Sequence, residues 1–276
     1  MSKRLLNRLV EEELVSGWDD PRMPTIAGLR RRGVPPQAIR DFCSRVGVTK
    51  QENRVEMSLL EFCVRDYLEQ RAPRGMGVID PLPVEITNFE SDEIMMTGPW
   101  HAQNDSLGQR EMPFSANLYI ERDDFSLEPP KKWKRLAPGE MVRLRYGFII
   151  RCDEVIMGHD GEVESLRCSY FPDSRSGQDT SGLKPNGVIH WVSQGTAVAA
   201  EIRQYERLFR VPDPSAETFL DDINPDSLKI LQGYVEPAIA NADVDTFQFE
   251  RQGYFHRDGQ ADGLVFNKTV SLREGF

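Results

Sequence analysis

A chain of 276 residues, 39% hydrophobic and 28% charged, has the composition of a soluble globular protein and exceeds one small core, so two or three domains of roughly 100 residues are expected. No apolar run approaches the roughly 18 residues that a membrane-spanning helix needs, which excludes a helical membrane protein. With 44 acidic against 34 basic residues and a formal net charge of -10, the molecule has no overall attraction for a polyanion, so a nucleic acid would have to be held by a local patch.

The opening MSKRLLNRLVEEELV is basic and then amphipathic, with Leu5, Leu6, Leu9, Val10 and Leu14 on one stripe. It lacks the apolar core and small-residue cleavage site of a secretory signal, which points to the cytoplasm. TIAGLRRRG starts at Thr25 as a cap and stops at Gly33; PPQAIRDFCSRVG has proline in its first turn and Gly47 after its last. EMSLLEFCVRDYLEQ carries apolar residues at helical spacing through Leu59, Leu60, Cys63, Val64 and Leu68, until Pro73 forbids continuation. Residues 1–71 are expected to form a small helical bundle.

From RAPRG onward the period changes to two. Short strand candidates run from GVIDPLPVEITNF through EMVRLRYGFIIRCDEV, GVIHWVS and AVAAEIRQYERLF to GLVFNKTVSL, separated by turns such as APGE, HDGE and RDGQ. About 200 residues of this pattern exceed one small barrel, so two antiparallel β-barrels are expected in an α+β multidomain fold. The division expected is 72–129 plus 210–276 for the proximal barrel and 130–209 for the distal one. Residues 173–187 have no apolar spacing and read as a mobile loop. No internal repeat is visible.

Enzymatic constellations are absent. GLRRRG is not a dinucleotide fingerprint, because its arginines would block close approach to a pyrophosphate. His101, His159, His190 and His256 are scattered, and His190, on one face of a strand, reads as a structural histidine. Cys43, Cys63, Cys152 and Cys168 form no CxxC pair and imply neither a disulfide nor zinc, so no metal site is expected. The adjacent Asp19 and Asp20 suit a turn with Arg22, ahead of a helix starting near Pro24 and Thr25.

What remains is PKKWKRLAPGEMVRLR, residues 130–145, where Lys131, Lys132, Lys134, Arg135, Arg143 and Arg145 surround Trp133. APGE should fold it into a hairpin whose returning strand carries Arg143 and Arg145 on one face, giving a fan of cations. Arginine forks match the acceptor edge of guanine, lysines neutralise phosphates, and Trp133 or Tyr146 offers a stacking plane. The same pattern also suits an edge strand made lysine-rich against aggregation.

MSKR, GWDDPRMPTIAGLRRRG, APRG, KKWKRL, GVIHWVS, RLFRVP and FQFERQGYF follow one another in an order and spacing that resemble the glutaminyl-tRNA synthetases of bacterial type, from the class I signature loop to near the C-terminus. The resemblance implies a helical subdomain joining a catalytic fold to two anticodon-binding barrels, with the catalytic fold upstream of Met1. No cofactor is then expected in this chain, and ATP with magnesium belongs to the full-length enzyme. Ser2 and Lys3 match the KMSKS-like loop that meets the ATP phosphates, and are expected to be disordered and idle without the opposing half. Arg74 and Gln248 align with residues around the middle anticodon base, a uridine. Lys134 and Arg135 align near the outer bases, Arg135 with the third, a guanine, while Arg143 aligns near the first. Arg145 and Arg251 are expected to support the backbone. Lys132 departs from the family's glutamine and exchanges a base contact for a phosphate contact. Thr49, Lys50, Gln51 and Glu56 align with positions at the inner corner of the L; Arg30, Arg31 and Arg32 either add phosphate contacts or form the solvent side of a helix. The partner implied is the tRNA for glutamine, bound by a monomer, with neither DNA nor membrane. A barrel-bearing glutamyl-tRNA synthetase and a protein-binding barrel module are the alternatives.

Overall fold

The structure, a computed structural model, describes residues 3–47, 55–215 and 217–273. Helix α1 (Lys3–Glu11) buries Leu9 against Val15, Met23, Leu208 and Phe219, so its amphipathic stripe meets the 206–223 region and not the other helices. Helices α2 (Ile26–Arg31), α3 (Pro36–Val46) and α4 (Met57–Glu69) share a separate core with Tyr254 and Val270. The expected bundle is therefore two clusters, each completed by later parts of the chain.

Thr25 caps α2 by accepting from the Gly28 amide, as its β-region backbone allows. Asp20 is buried and organises the preceding turn, accepting from the amides of Ser16 and Arg22 and from the Arg22 guanidinium. The C-terminal end of α2 docks through Arg31, which pairs with Asp258 at 3.0 Å, while Asn267 and Thr269 donate to the Arg31 and Arg32 carbonyls. Gly33 has φ 86°, and a Cβ there would overlap His256, so glycine is required twice over.

The strands come in three runs. The first is β1 (Arg74–Gly75), β2 (Gly77–Val78), β3 (Pro81–Ile86), β4 (Ile94–Pro99), β5 (Gln109–Phe114) and β6 (Asn117–Glu121). After the 122–140 connection come β7 (Met141–Leu144), β8 (Ile149–Met157), β9 (Val163–Phe171), β10 (Val188–Ile189) and β11 (Trp191–Ser193). The last run is β12 (Val198–Tyr205), β13 (Leu228–Val235), the short helix α5 (Pro237–Ala240), β14 (Thr246–Phe249), β15 (Gly253–Arg257) and β16 (Val265–Val270).

They form two seven-stranded sheets, in the orders β1-β14-β15-β16-β12-β13-β2 and β10-β7-β8-β9-β3-β6-β11, with β4 and β5 a separate pair. In each, the two edge strands are consecutive in the chain: residues 74–78 pair first with β14 and then with β13, and residues 188–193 pair first with β7 and then with β6. One short segment thus spans both edges and nearly closes each sheet into a barrel, which removes the free edges. The two expected barrels are present, and each carries two parallel pairings among its antiparallel ones: β1·β14 and β12·β16 in one, β10·β7 and β3·β9 in the other.

Membership differs from the division expected at 129 and 209. Strands β3 and β6 join the distal barrel, and β12 joins the proximal one. The reason is that period-2 patterning marks a strand without marking its partner. The chain crosses at Ile79–Asp80, whose amides both donate to the Glu121 carboxylate, at 2.6 and 3.1 Å. The distal core gathers Leu82, Phe114, Leu118, Ile150, Leu166 and Trp191; the proximal core gathers Ile202, Phe247, Phe249, Phe255 and Phe266. Tyr119 of one barrel stacks on Tyr234 of the other, with ring centroids 4.4 Å apart.

Candidate nucleic-acid interface

Three groups of polar side chains line the region where the barrels meet. The first follows from register: Arg74 on β1 lies directly opposite Gln248 on β14, and Gln248 opposite Tyr254 on β15. Gln248 donates its amide to the Tyr254 hydroxyl at 2.9 Å, and the tip of Arg74 lies 3.4 Å from His101 Nε2. Arg74 on the edge strand and Gln248 on its neighbour thus lie with His101 beside the end of α4, whose Glu69 carbonyl lies 2.7 Å from the same His101 nitrogen. Burial pushes the Tyr254 hydroxyl above the ordinary phenol range, with the Gln248 hydrogen bond opposing it.

The second group is buried. Arg110 donates through Nε to Glu236 and through Nη2 to Glu250 at 3.2 Å, with its guanidinium between the rings of Trp100 and Tyr146 at 5.4 and 5.3 Å. Glu250 also accepts from the Tyr146 hydroxyl and pairs with Arg145, which covers the Tyr146 ring. Burial raises the Glu236 carboxyl above its ordinary range, against the pull of Arg110.

The third group centres on Asp124, whose side chain is 2% exposed. Arg251 binds it with both terminal nitrogens, at 2.5 and 2.6 Å, and Arg135 approaches with Nε at 3.3 Å. Arg251 also donates to His190 Nδ1 at 3.2 Å, so His190 presents its Nε2 proton towards Glu121, 3.4 Å away. His190 is fully buried. Arg135 donates to the Asp123 carbonyl at 2.7 Å and lies 5.5 Å from the Trp133 ring.

The three groups form one path: Arg74 donates its backbone amide to the Trp100 carbonyl, Trp100 faces Arg110, Arg110 and Arg145 share Glu250, and the next residue is Arg251. The expected fan of free cations is thereby corrected. Arg135, Arg145 and Arg251 are each matched to a carboxylate, and Arg143 pairs with Asp179 and donates to the Ser174 carbonyl. Of the cations in residues 130–145, Lys131, Lys132 and Lys134 stand exposed with no side-chain partner among the described residues. The hairpin expected over 130–145 also does not form. Residues 131–135 lie in a turn, and Leu136 and Pro138 make single parallel bridges to Phe125 and Cys152, because β7 is occupied by β8 and β10. The segment passes over Gly187, where a Cβ would overlap the Lys134 carbonyl.

The 173–187 loop, expected to be mobile, is tied by Arg143, by Thr180 to the Asp173 carbonyl and by Asn186 to Met141 and Glu140. Lys3 opens α1 and is exposed, while Ser2 lies outside the described residues. Glu56 is the exposed N-cap of α4; Thr49, Lys50 and Gln51 lie outside the described residues. Arg31 and Arg32 face the proximal barrel and Arg30 faces solvent. The carboxylates Asp124, Glu236, Glu250 and Asp179, with Arg110, escaped sequence reasoning, since their partners are up to 140 residues away.

Residues 72–171 match the family model described as "tRNA synthetases class I (E and Q), anti-codon binding domain", and residues 188–258 match a second model with the same description. Residues 1–70 match the catalytic-domain model of the same group. The chain belongs to the class I tRNA synthetases of the E and Q type. Within that family it is similar to glutamine–tRNA ligases: 50% identical over 99% of this chain to that of Vibrio parahaemolyticus, 51% to that of Serratia proteamaculans and 52% to that of Yersinia pestis. The chain spans about half the length of these curated relatives, since it covers 50% of each.

Proposed function

We propose that this chain binds the anticodon arm of a glutamine tRNA and reads its bases separately along the seam between the barrels. One observation carries the reading: Arg74 and Gln248 at one end and Arg135 and Arg251 at the other are linked across both barrels by backbone pairing, a ring–cation contact, hydrogen bonds, ion pairs and the Glu250–Arg251 peptide bond. The amide of Gln248 supplies a donor and an acceptor together, which suits O4 and N3–H of uracil. The fork of Arg135 suits O6 and N7 of guanine, a contact that discriminates by about 1–3 kcal/mol. Cytosine at that place offers an amino donor to a side chain that can only donate, so a tRNA ending its anticodon in cytosine is rejected. Trp133 and Tyr146 supply ring faces for unpaired bases, and Lys131, Lys132 and Lys134 neutralise phosphates. In the same reading Lys3 would meet the ATP phosphates only in a full-length cytoplasmic ligase, and it is idle in this chain alone.

The experiment titrates glutamine tRNA transcripts, singly substituted at each anticodon position, against the wild-type chain and Arg135→Ala at two salt concentrations. The expected result is a preference for guanine at the third position that Arg135→Ala abolishes. Equal binding of all transcripts would sink the reading, and a preference for cytosine would assign the chain to the glutamate branch.

A further inference from the structure

We infer that Asp124 is the residue that turns Arg135 from a phosphate binder into a base reader; the inference rests on the anticodon reading above. Asp124 ends the short helix Arg122–Asp124 and is buried beneath the junction of the two barrels. Its backbone is locked to the residues it serves: the Leu136 amide donates to the Asp124 carbonyl at 2.9 Å, and the Ser126 amide to the Leu136 carbonyl at 3.2 Å. The carboxylate holds Arg135 as an ion pair, with Nε 3.3 Å away, and the neighbouring Asp123 carbonyl accepts from Arg135 Nη1.

A guanidinium has five N–H groups in one plane. The bond to the Asp123 carbonyl uses one proton of Nη1 and the ion pair turns the Nε side towards Asp124, which leaves both protons of Nη2 without a partner among the described residues. The Nη2 protons are thereby available to an acceptor lying in the plane of the guanidinium. An arginine whose side chain is 41% exposed would otherwise rotate towards whichever phosphate lies nearest. The buried carboxylate restrains the plane and, shared with Arg251, lowers the local positive charge that favours phosphate. Arg251 occupies the other face of the same carboxylate from the proximal barrel, so the reader's position is referred to both barrels at once. Asp124 is thus a positioning residue for third-base specificity.

The test measures the ratio of affinities for transcripts with guanine and with cytosine at the third anticodon position, in the full chain. Wild type is expected to show a ratio of roughly five- to a hundredfold. Asp124→Asn should bring it within about threefold of unity while leaving affinity for the cytosine transcript unchanged or higher, because phosphate binding gains a guanidinium. Asp124→Asn strands two guanidinium groups, so Asp124→Asn with Arg251→Gln, which replaces the ion pair by two amides, keeps the question answerable if the single variant does not fold. Arg251→Gln alone should lower affinity for both transcripts and keep the ratio. A double variant that retains the wild-type ratio, or that loses affinity equally for both transcripts, overturns the inference. No third-base preference in wild type itself strikes down the anticodon reading, and this inference with it.

Discussion

Arg110 is buried with two acids on it, Glu236 and Glu250, and both acids are buried as well. Removing one member of such a set leaves the others uncompensated, which costs about 3–5 kcal/mol. Arg110→Met is accordingly expected to lower the urea midpoint sharply, while Arg167→Ala, which breaks two pairs between exposed side chains, is expected to change it little. The pH dependence has a definite sign. Burial already holds the Glu236 carboxyl above its ordinary 4.5, so the folded chain keeps that proton where the unfolded chain has released it. Stability from this group therefore declines as pH rises from 4.5 through the raised value. Without Arg110 the raised value moves further up, so Arg110→Met should regain part of its lost stability on mild acidification, read from denaturant midpoints across pH. Gly187→Ala tests a different constraint. The added methyl meets the Lys134 carbonyl, and the backbone must shift at the residue before Arg135. Overpacking of this kind costs about 1–3 kcal/mol. RNA affinity should fall with it, because the displaced segment carries Trp133, Lys134 and Arg135.

Between elements, Asp258 holds α2 to the proximal barrel through Arg31 and Asp20 fixes the turn ahead of α2, and the titration of both can be followed. Burial tends to raise both Asp20 and Asp258. In Asp20, hydrogen bonds from Arg22 and Ser16 outweigh it, and in Asp258 those from Gln260, Asn267 and Arg31 with the Arg31 charge, so both carboxyls lie below the ordinary 3.8. A lowered carboxyl gives stability that is present above 3.8 and is lost as pH falls through the folded value. Acid below 3.8 should thus loosen α2 from the barrel, detected as faster amide exchange in residues 25–33, and Asp258→Asn should flatten that response. The helices themselves were legible because caps, Pro36 and Gly47 punctuate a 3.6-residue period, and most strands were legible from alternation. Partners were not. The chain order closure, hairpin, meander in the proximal barrel (β1/β2, β12/β13, β14/β15/β16) is the circular permutation of hairpin, meander, closure in the distal one (β3/β6, β7/β8/β9, β10/β11). With the distal barrel inserted after β2, that equivalence leaves no repeat to read along the sequence. Arg74 and Gln248 became neighbours only through a parallel pairing of two-residue β1, a strand too short to show any period. The hairpin expected at 130–145 failed for the same reason, since APGE marks a turn but not which strand already occupies the edge of β7.

For the molecule as a whole, a net charge of -10 and an interface for a polyanion are compatible because the two sets of basic groups are handled differently. Along the seam, Arg110, Arg135, Arg143, Arg145 and Arg251 are matched by Asp124, Asp179, Glu236 and Glu250, which spends their charge on fixing geometry. Lys131, Lys132 and Lys134 have no such partners among the described residues and stand in solvent. Base preference and salt sensitivity should then separate by residue. Each phosphate neutralised on an unpaired strand contributes about 0.7 to the slope of log affinity against log salt. Replacing the three lysines together by alanine should reduce the magnitude of that slope by about 2, if each meets one phosphate, and leave the guanine-to-cytosine ratio at the third position intact. Arg135→Ala should do the reverse, erasing the ratio and changing the slope by less than about 0.7. Both variants are made at positions outside the barrel cores, so equal thermal midpoints can be required before affinities are compared. A variant without these three lysines that keeps the wild-type slope would place the phosphate contacts elsewhere, on Arg30 or the α4 end of the seam. Loss of the base ratio in that variant would mean that the turn 131–135 positions Arg135 through its charges as well as through Asp124.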